Sequence, residues 1–161
     1  PIIFNPEFLR ARTSVRDFLE PDRQIVGYTA LSRPVAERTL EILPPAPFIR
    51  VLPATEAEMV KYFSNLFLAN RVIFANQIYD LCGALGIDYE FIKECVASDA
   101  RIGSSHFEIN ADGYRGYGGL CLPKDTKSLL QLAGRLGVPL KLIEAMEEVN
   151  KELNGDRWCR S

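Results

Sequence analysis

Apolar and polar residues follow two different rhythms along this chain, and the change falls close to residue 54. Before it, short apolar runs stand between loop signals. "IIF" (residues 2–4) reads as a strand, "NPEFLR" as a loop, Thr13 to Leu19 as a short helix and "QIVGYTA" (24–30) as a buried strand. In "LSRPVAERTLEIL" Ser32 suits a helix cap and Pro34 a first helical turn. "PPAP" should end that helix, and "FIRVL" (48–52) reads as the next strand. Strands alternating with helices are the pattern of an α/β sheet.

From Thr55 the period becomes helical. "TEAE" has the form of a capping box, Thr55 with Glu58 three residues on, and no proline or glycine follows until Gly83. One helix of roughly 28 residues, about 40 Å long, is expected. Its apolar residues, among them Met59, Phe63, Phe67, Val72, Phe74 and Ile78, wrap most of the circumference. Such a helix is expected to lie inside a larger body or at a subunit interface. Asp88 is placed to cap a further helix to about Ala97. Some twenty polar and glycine-rich residues follow, a length usual for functional loops. Helices resume at "KDTKSLLQLAGRL", break at Gly137 to Pro139, and continue with Leu140, Ile143, Met146, Val149 and Leu153 on one stripe until Asn154-Gly155.

Composition narrows the function. The chain has 161 residues, 47% hydrophobic and 25% charged, with a net charge of −2. That is enough for one good core or two small ones, and without a positive excess nothing points to nucleic acid or an anionic membrane. No apolar run approaches a membrane span and no signal pattern opens the chain, so a cytoplasmic protein is expected. The four cysteines (Cys82, Cys95, Cys121, Cys159) form no CxxC pair, and a single histidine, His106, leaves no metal cluster. Free thiols are expected, with Cys82 and Cys95 as packing residues on helices. The start at Pro1, directly in "PIIF", suggests a piece of something longer.

The candidate chemistry centres on "GYGGLCLPKD" (116–125). Pro123 fits an early helical position and Asp125 the first turn, which would put the Cys121 thiol at the positive end of a helix dipole, where thiolate is favoured. Gly116, Gly118 and Gly119 would let the backbone approach a ligand. The plainer reading is a buried cysteine packed like a small hydrophobe. On the long helix Lys61, Ser64 and Asn65 share a face, either solvated or buried against hydrogen-bonding partners. If buried near Cys121, Lys61 and Asn65 suit the stabilisation of an oxyanion. Glu7 follows a proline at the exit of a strand, where α/β sheets place ligand-contacting loops, and reads equally as an ordinary loop carboxylate. Arg101 in the long loop is equally ambiguous, and His106 reads as an ordinary loop residue.

Taken together, "FNPEFLR…DFLEPDRQIVG", "EMVKYFSNLFLANRVIFANQIYDLC", "DARIG" and "GYGGLCLPKDTKSL" resemble, in order, segments of the UDP-glucose/GDP-mannose dehydrogenase family, the nucleotide-sugar 6-dehydrogenases. The resemblance implies oxidation of a sugar CH2OH to carboxylate with two NAD+, through an aldehyde and a cysteine thioester, in the service of polysaccharide biosynthesis. It implies Cys121 as nucleophile, Lys61 and Asn65 as oxyanion holders, Asp125 in water activation or proton transfer, and Glu7 in proton transfer or thioester hydrolysis. It further implies sugar-nucleotide contacts by Phe8, Leu9, Gly116, Gly118 and Gly119, a cofactor contact by Lys124, and an Arg101 that reaches a neighbouring subunit's site. A homodimer through the long helix goes with it.

By the same resemblance, residues 1–53 are the tail of a doubly wound, Rossmann-like NAD domain, and 54–161 a mainly helical central and dimerisation domain. The main NAD site, with its GxGxxG, and a C-terminal nucleotide-binding domain are expected in segments not among these residues, so the isolated chain is expected to be inactive. Arg10, Ala11 and Arg12 depart from the family's usual residue-Glu-Gly, and Leu120 stands where serine is common, which leaves the sugar undetermined. The rival readings are a non-catalytic helical dimerisation module and a thiol redox protein; the latter lacks a neighbouring resolving cysteine.

Overall fold

The computed structural model describes residues 1–111 and 113–155; Cys159 lies outside them. The chain forms two compact units, one of residues Pro1–Phe63 and one from Ser64 onward.

The first unit is built on a three-stranded sheet in the order β1-β2-β3. The central strand, β2 (Arg23–Tyr28), has its interior residues buried, Ile25 and Val26 most completely. It pairs in parallel with β3 (Phe48–Pro53), from Arg23 opposite Phe48 to Tyr28 opposite Pro53. A parallel pair needs a crossover, and the segment between supplies it: α2 (Arg33–Ala36), with Pro34 in its first turn, continuing as a 3-10 helix (Glu37–Glu41). β1 (Ile3–Phe4) pairs antiparallel with β2, so the sheet is mixed at this edge. Between them lie a 3-10 turn (Ala11–Thr13) and α1 (Ser14–Leu19).

Two expected caps are not formed. Ser32 makes no side-chain bond to the helix that follows; its buried hydroxyl accepts from the Thr29 amide at 2.8 Å. α3 (Ala54–Leu85) starts directly from β3, which places Thr55 inside the first turn and not ahead of it. That direct passage brings the start of α3 against β2. A Cβ on Gly27 would fall 2.8 Å from the Ala57 Cβ and 3.0 Å from the Ala54 Cα, so only glycine fits.

α3 has 32 residues, longer than expected, because Gly83 does not end it. A helical glycine costs only about 1 kcal/mol, and the helix runs on to Gly86, whose φ of 67° is the left-handed stop. α4 (Tyr89–Ala97) follows, and Asp88 does cap it, accepting from the Glu90 amide at 2.9 Å. Residues 98–111 and 113–120 are irregular, as their polarity implied. α5 (Cys121–Leu136) closes on left-handed Gly137, and α6 (Lys141–Asn154) on Gly155.

Two apolar clusters hold this second unit. One gathers Ala69, Val72 and Ile73 of α3, Tyr117 of the loop and Met146 of α6, with Leu122, Ile143, Val149 and Leu153 packed against it. The other gathers Ala75, Cys82, Tyr89, Phe107 and Ile109. Cys82 is a packing residue as expected, whereas Cys95 is exposed on α4. α3 buries only part of its circumference. Phe63, Phe67, Phe74, Leu81 and Leu85 remain 54–72% exposed, and at about 100° per residue they fall within a stripe about 40° wide.

Candidate active site

Cys121 is the first residue of α5, preceded by Leu120 with no side-chain cap. Its thiol is free and exposed, which contradicts the plainer reading of a packed hydrophobe. The N–H groups of the first helical turn have no partners within the helix, so the thiol stands where a helix favours negative charge. Pro123 occupies the third helical position, where its missing N–H costs nothing.

Asp125 is the fifth residue of α5, in the second turn and not the first. Its side chain is 3% exposed. A carboxylate so buried needs donors, and it has two: Asn65 Nδ2 at 2.6 Å on one oxygen and Lys124 Nζ at 2.6 Å on the other. Asn65 lies on α3 and is itself buried, so this amide fixes the carboxylate from across the helix pair. Lys124, expected on the cofactor side, keeps its side chain 67% exposed while holding Asp125.

In the first unit, Lys61 is the buried-partner case of the two readings given above. Its side chain is 15% exposed, and Nζ donates to the Glu7 main-chain carbonyl and, at 2.8 Å, to Glu7 Oε1. The same loop sets the Phe8 ring 3.8 Å beneath the Arg23 guanidinium and 5.7 Å from Lys61 Nζ. Glu7, Phe8 and Leu9 line a pocket of about 660 Å³ together with Arg16–Phe18 and residues 20–24.

The Arg101 guanidinium folds back on the Asp99 carboxylate at 2.5 Å and stays exposed. The turn that carries it is gripped by a residue that periodicity did not single out. Arg71 of α3 donates to the carbonyls of Ser105 (3.0 Å), Ile102 (2.7 Å) and Gly103 (3.0 Å) and lies over the Phe107 ring. His106 takes φ 64° in this turn, and burial, then the Arg71 charge, lower its proton affinity. Among the described residues no group of three or more His, Cys, Asp or Glu could hold a metal ion, and no helix is long and apolar enough to cross a membrane.

The three glycines differ in why they are glycine. Gly116 (φ 79°) would put a Cβ 2.4 Å from Asn150 Oδ1, and Gly118 one 2.2 Å from the Tyr114 hydroxyl. Gly119 (φ 72°) faces open space. Only the third leaves room beside the backbone, and there the left-handed conformation requires glycine. The first two are fixed by the protein's own side chains.

The model of the UDP-glucose/GDP-mannose dehydrogenase family, central domain, matches residues 55–152. The UDP-glucose 6-dehydrogenase TuaD of Bacillus subtilis is 38% identical over 153 residues, 94% of this chain and 32% of its own length. UDP-glucose 6-dehydrogenase AglM of Haloferax volcanii is 36% identical over 92% of this chain and 35% of its own. Among solved structures, a UDP-glucose dehydrogenase from the archaeon Pyrobaculum islandicum superposes with a TM-score of 0.80 at 35% identity, over 93% of this chain and 34% of that one. The chain thus spans about a third of the length of the relatives it matches.

The buried amide–carboxylate pair yields a stability test. Asn65→Leu strands one Asp125 oxygen and should cost about 1–3 kcal/mol, since a buried acceptor without its donor keeps its full desolvation penalty. Asp125→Leu should destabilise as well, by leaving the amide unpaired. The double variant should be more stable than the sum of the two losses predicts, because neither polar group is then left behind. Urea melts of the four proteins give this coupling, and strict additivity would show that the 2.6 Å contact carries no energy.

Proposed function

Because the chain belongs to the UDP-glucose/GDP-mannose dehydrogenase family, we propose that it supplies the thiol-bearing part of a cytoplasmic, NAD-dependent enzyme that oxidises the CH2OH of a sugar nucleotide to carboxylate. UDP-glucose is the favoured substrate, since the Bacillus subtilis and Haloferax volcanii relatives and the Pyrobaculum islandicum structure all carry that name. The observation that carries the reading is the free, exposed Cys121 at a helix start, directly after a glycine loop and one turn before a buried, doubly held carboxylate.

The described residues offer no cradle for a dinucleotide. β3 passes into α3 without a loop, and the turn after β2 is "TALS", not a glycine-rich one. We assign residues 1–53 to the end of an NAD domain and 54–161 to the central domain. When bound in the complete enzyme, NAD+ would supply the hydride acceptor; the chain's own residues handle carbon, sulfur and protons. Overall CH2OH and one water lose two hydrides and three protons to become carboxylate. At the aldehyde stage the Cys121 thiolate adds to the carbonyl carbon, making a C–S bond and an alkoxide. Hydride loss from that carbon re-forms the carbonyl as a thioester. Water then adds, the C–S bond breaks, and the thiolate is restored.

In this reading the Lys61 ammonium and the Asn65 amide stabilise the oxyanion on either side of the thioester. Asp125 and Glu7 serve the proton transfers that accompany water attack. Each is consistent with its surroundings: Glu7 Oε1 lies 2.8 Å from the Lys61 ammonium, and Asp125 is held by two donors. In the same reading the loop of Gly116, Gly118 and Gly119 meets the sugar nucleotide at the open side of Gly119, Phe8 and Leu9 add contacts to it, Lys124 serves the cofactor and Arg101 the site of a second subunit.

The exposed stripe of α3 is the seat of that subunit. Phe67, Phe74 and Leu81 are seven residues apart, the spacing by which one helix meets a copy of itself across a two-fold axis. Exposed phenylalanines in a continuous row are costly in water, which favours an occupant as apolar as the row itself.

Two measurements test this. In the complete enzyme, steady-state NADH production should collapse for Cys121→Ser, because an alkoxide is hard to form at neutral pH. It should fall roughly 10²–10³-fold for Lys61→Ala, the usual effect of losing one oxyanion donor. Cys82→Ser and Cys95→Ser should lose far less, with thermal melts confirming that all four variants fold. Wild-type turnover by Cys121→Ser would sink the catalytic reading and leave a dimerisation module. Sedimentation should give a dimer for the chain and a monomer for Phe67→Asp/Phe74→Asp; a monodisperse monomer of the unmodified chain would refute the helix interface.

A further inference from the structure

We propose that Asn150 of α6 is the positioning residue of the glycine loop: it fixes the peptide groups of Tyr117 and so sets how residues 116–120 meet the sugar nucleotide. The inference rests on the reading above that this loop faces the substrate.

Asn150 is fully buried, and its side-chain amide is matched to one loop residue at both ends. Oδ1 accepts from the Tyr117 amide at 2.8 Å, and Nδ2 donates to the Tyr117 carbonyl at 3.0 Å. One side chain thereby takes the place of a neighbouring strand, pairing both backbone groups of Tyr117. A carboxamide does this from two separate atoms; aspartate could accept but not donate, and leucine could do neither.

The surroundings reinforce the grip. Asn154, one turn on, donates to the same Tyr117 carbonyl at 3.0 Å and to Asn150 Oδ1 at 3.0 Å. Glu147, one turn back, accepts from the Tyr117 hydroxyl at 2.9 Å. Burial first, then the Glu147 charge, raise the phenol's proton affinity, so it remains a donor. Gly116 completes the fit, since a Cβ there would fall 2.4 Å from Asn150 Oδ1. On the other side Arg115 donates to the Asn76 side-chain oxygen (3.0 Å), the Asn76 carbonyl (3.2 Å) and Asp80 (2.8 Å).

Simple docking of α6 does not explain this stripe. Ile143, Met146, Val149 and Leu153 already give α6 its apolar contacts. Glu147, Asn150 and Asn154 lie at spacings of three and four, a buried polar row beside the apolar one, and each of the three bonds Tyr117. Buried amides add little net stability when satisfied, but they define one position for the group they hold, here the residue between Gly116 and Gly118. Four residues later comes Cys121.

The test is kinetic, in the complete enzyme, with UDP-glucose as the probe. Asn150→Ala should raise KM for UDP-glucose at least tenfold and leave kcat within about twofold, the pattern expected when uniform substrate binding is lost. Tyr117 amide exchange should quicken at least tenfold while the amides of α5 keep their protection. Tyr89→Phe is the control: it removes a buried bond of similar kind, hydroxyl to the Phe107 carbonyl at 2.8 Å in the other cluster, and should leave KM unchanged. If Asn150→Ala does not fold, Asn154→Ala, which removes the second donor to the Tyr117 carbonyl and the amide that holds Asn150 Oδ1, should raise KM in the same direction. An unchanged KM in the variant that folds, or an equal rise in Tyr89→Phe, overturns the positioning role. Failure of the wild-type enzyme to bind UDP-glucose would instead bring down the substrate reading and this inference with it, and titration of the wild type separates the two cases.

Discussion

The second unit turns on where Tyr117 is held. Its ring, 2% exposed, packs with Ala69, Val72 and Ile73 of α3 and Met146 of α6, with Leu122 of α5 against the same cluster. A loop residue is thus a shared core residue of three helices. Burial of an aromatic side chain of this size is worth several kcal/mol of hydrophobic stabilisation, so the glycine loop is not an appendage that the helices tolerate. The helices cannot close properly unless the loop is in place. Its backbone, rigidly seated at Tyr117, then leads in four residues to the exposed Cys121. Stability and the seating of the glycine loop are two results of one packing event.

The same economy governs the polar residues. Asp125 is buried with one donor from α3 and one from its own helix, Asn150 is buried with both its groups on Tyr117, and Asn76 is buried with Arg115 on its oxygen. Each of these is a short side chain with at least one hydrogen bond to a different segment of the chain, so each specifies a register and not merely an association. Lys61 and Glu7 do the same in the first unit, where an ammonium with little exposure is compensated by a carbonyl and a carboxylate of one loop.

Much of the fold was legible because it rests on periodicity and punctuation. The long run from Ala54 without proline, the cap at Asp88, and the stops at Gly137 and Gly155 all act through local backbone physics, and the helices appear where those signals put them. The failures were local as well. Thr55 and Ser32 have cap chemistry, but the chain enters α3 straight from a strand, and Ser32 turns back to Thr29. The antiparallel β1 edge depends on a long-range pairing that no short window contains. Of the candidate site, Cys121, Lys61, Asn65 and Asp125 stood out as polar residues in apolar or glycine-rich company. Arg71, Asn150 and Asn154 did not, because a helical arginine or asparagine looks solvated until the loop it grips is known. Their one sequence signal was spacing: Asn150 and Asn154 sit beside the apolar stripe of α6 at an interval of four.

The central claim is that Cys121 carries the substrate carbon. The most direct measurement is mass analysis of the complete enzyme, acid-quenched while turning over UDP-glucose and NAD+. A transient adduct with the mass of the sugar nucleotide at the acyl oxidation level should appear on the peptide containing Cys121, and hydroxylamine should release it, as it does a thioester. NADH formed with no adduct at any time after mixing, or an adduct on Cys82 or Cys95 instead, would contradict the account.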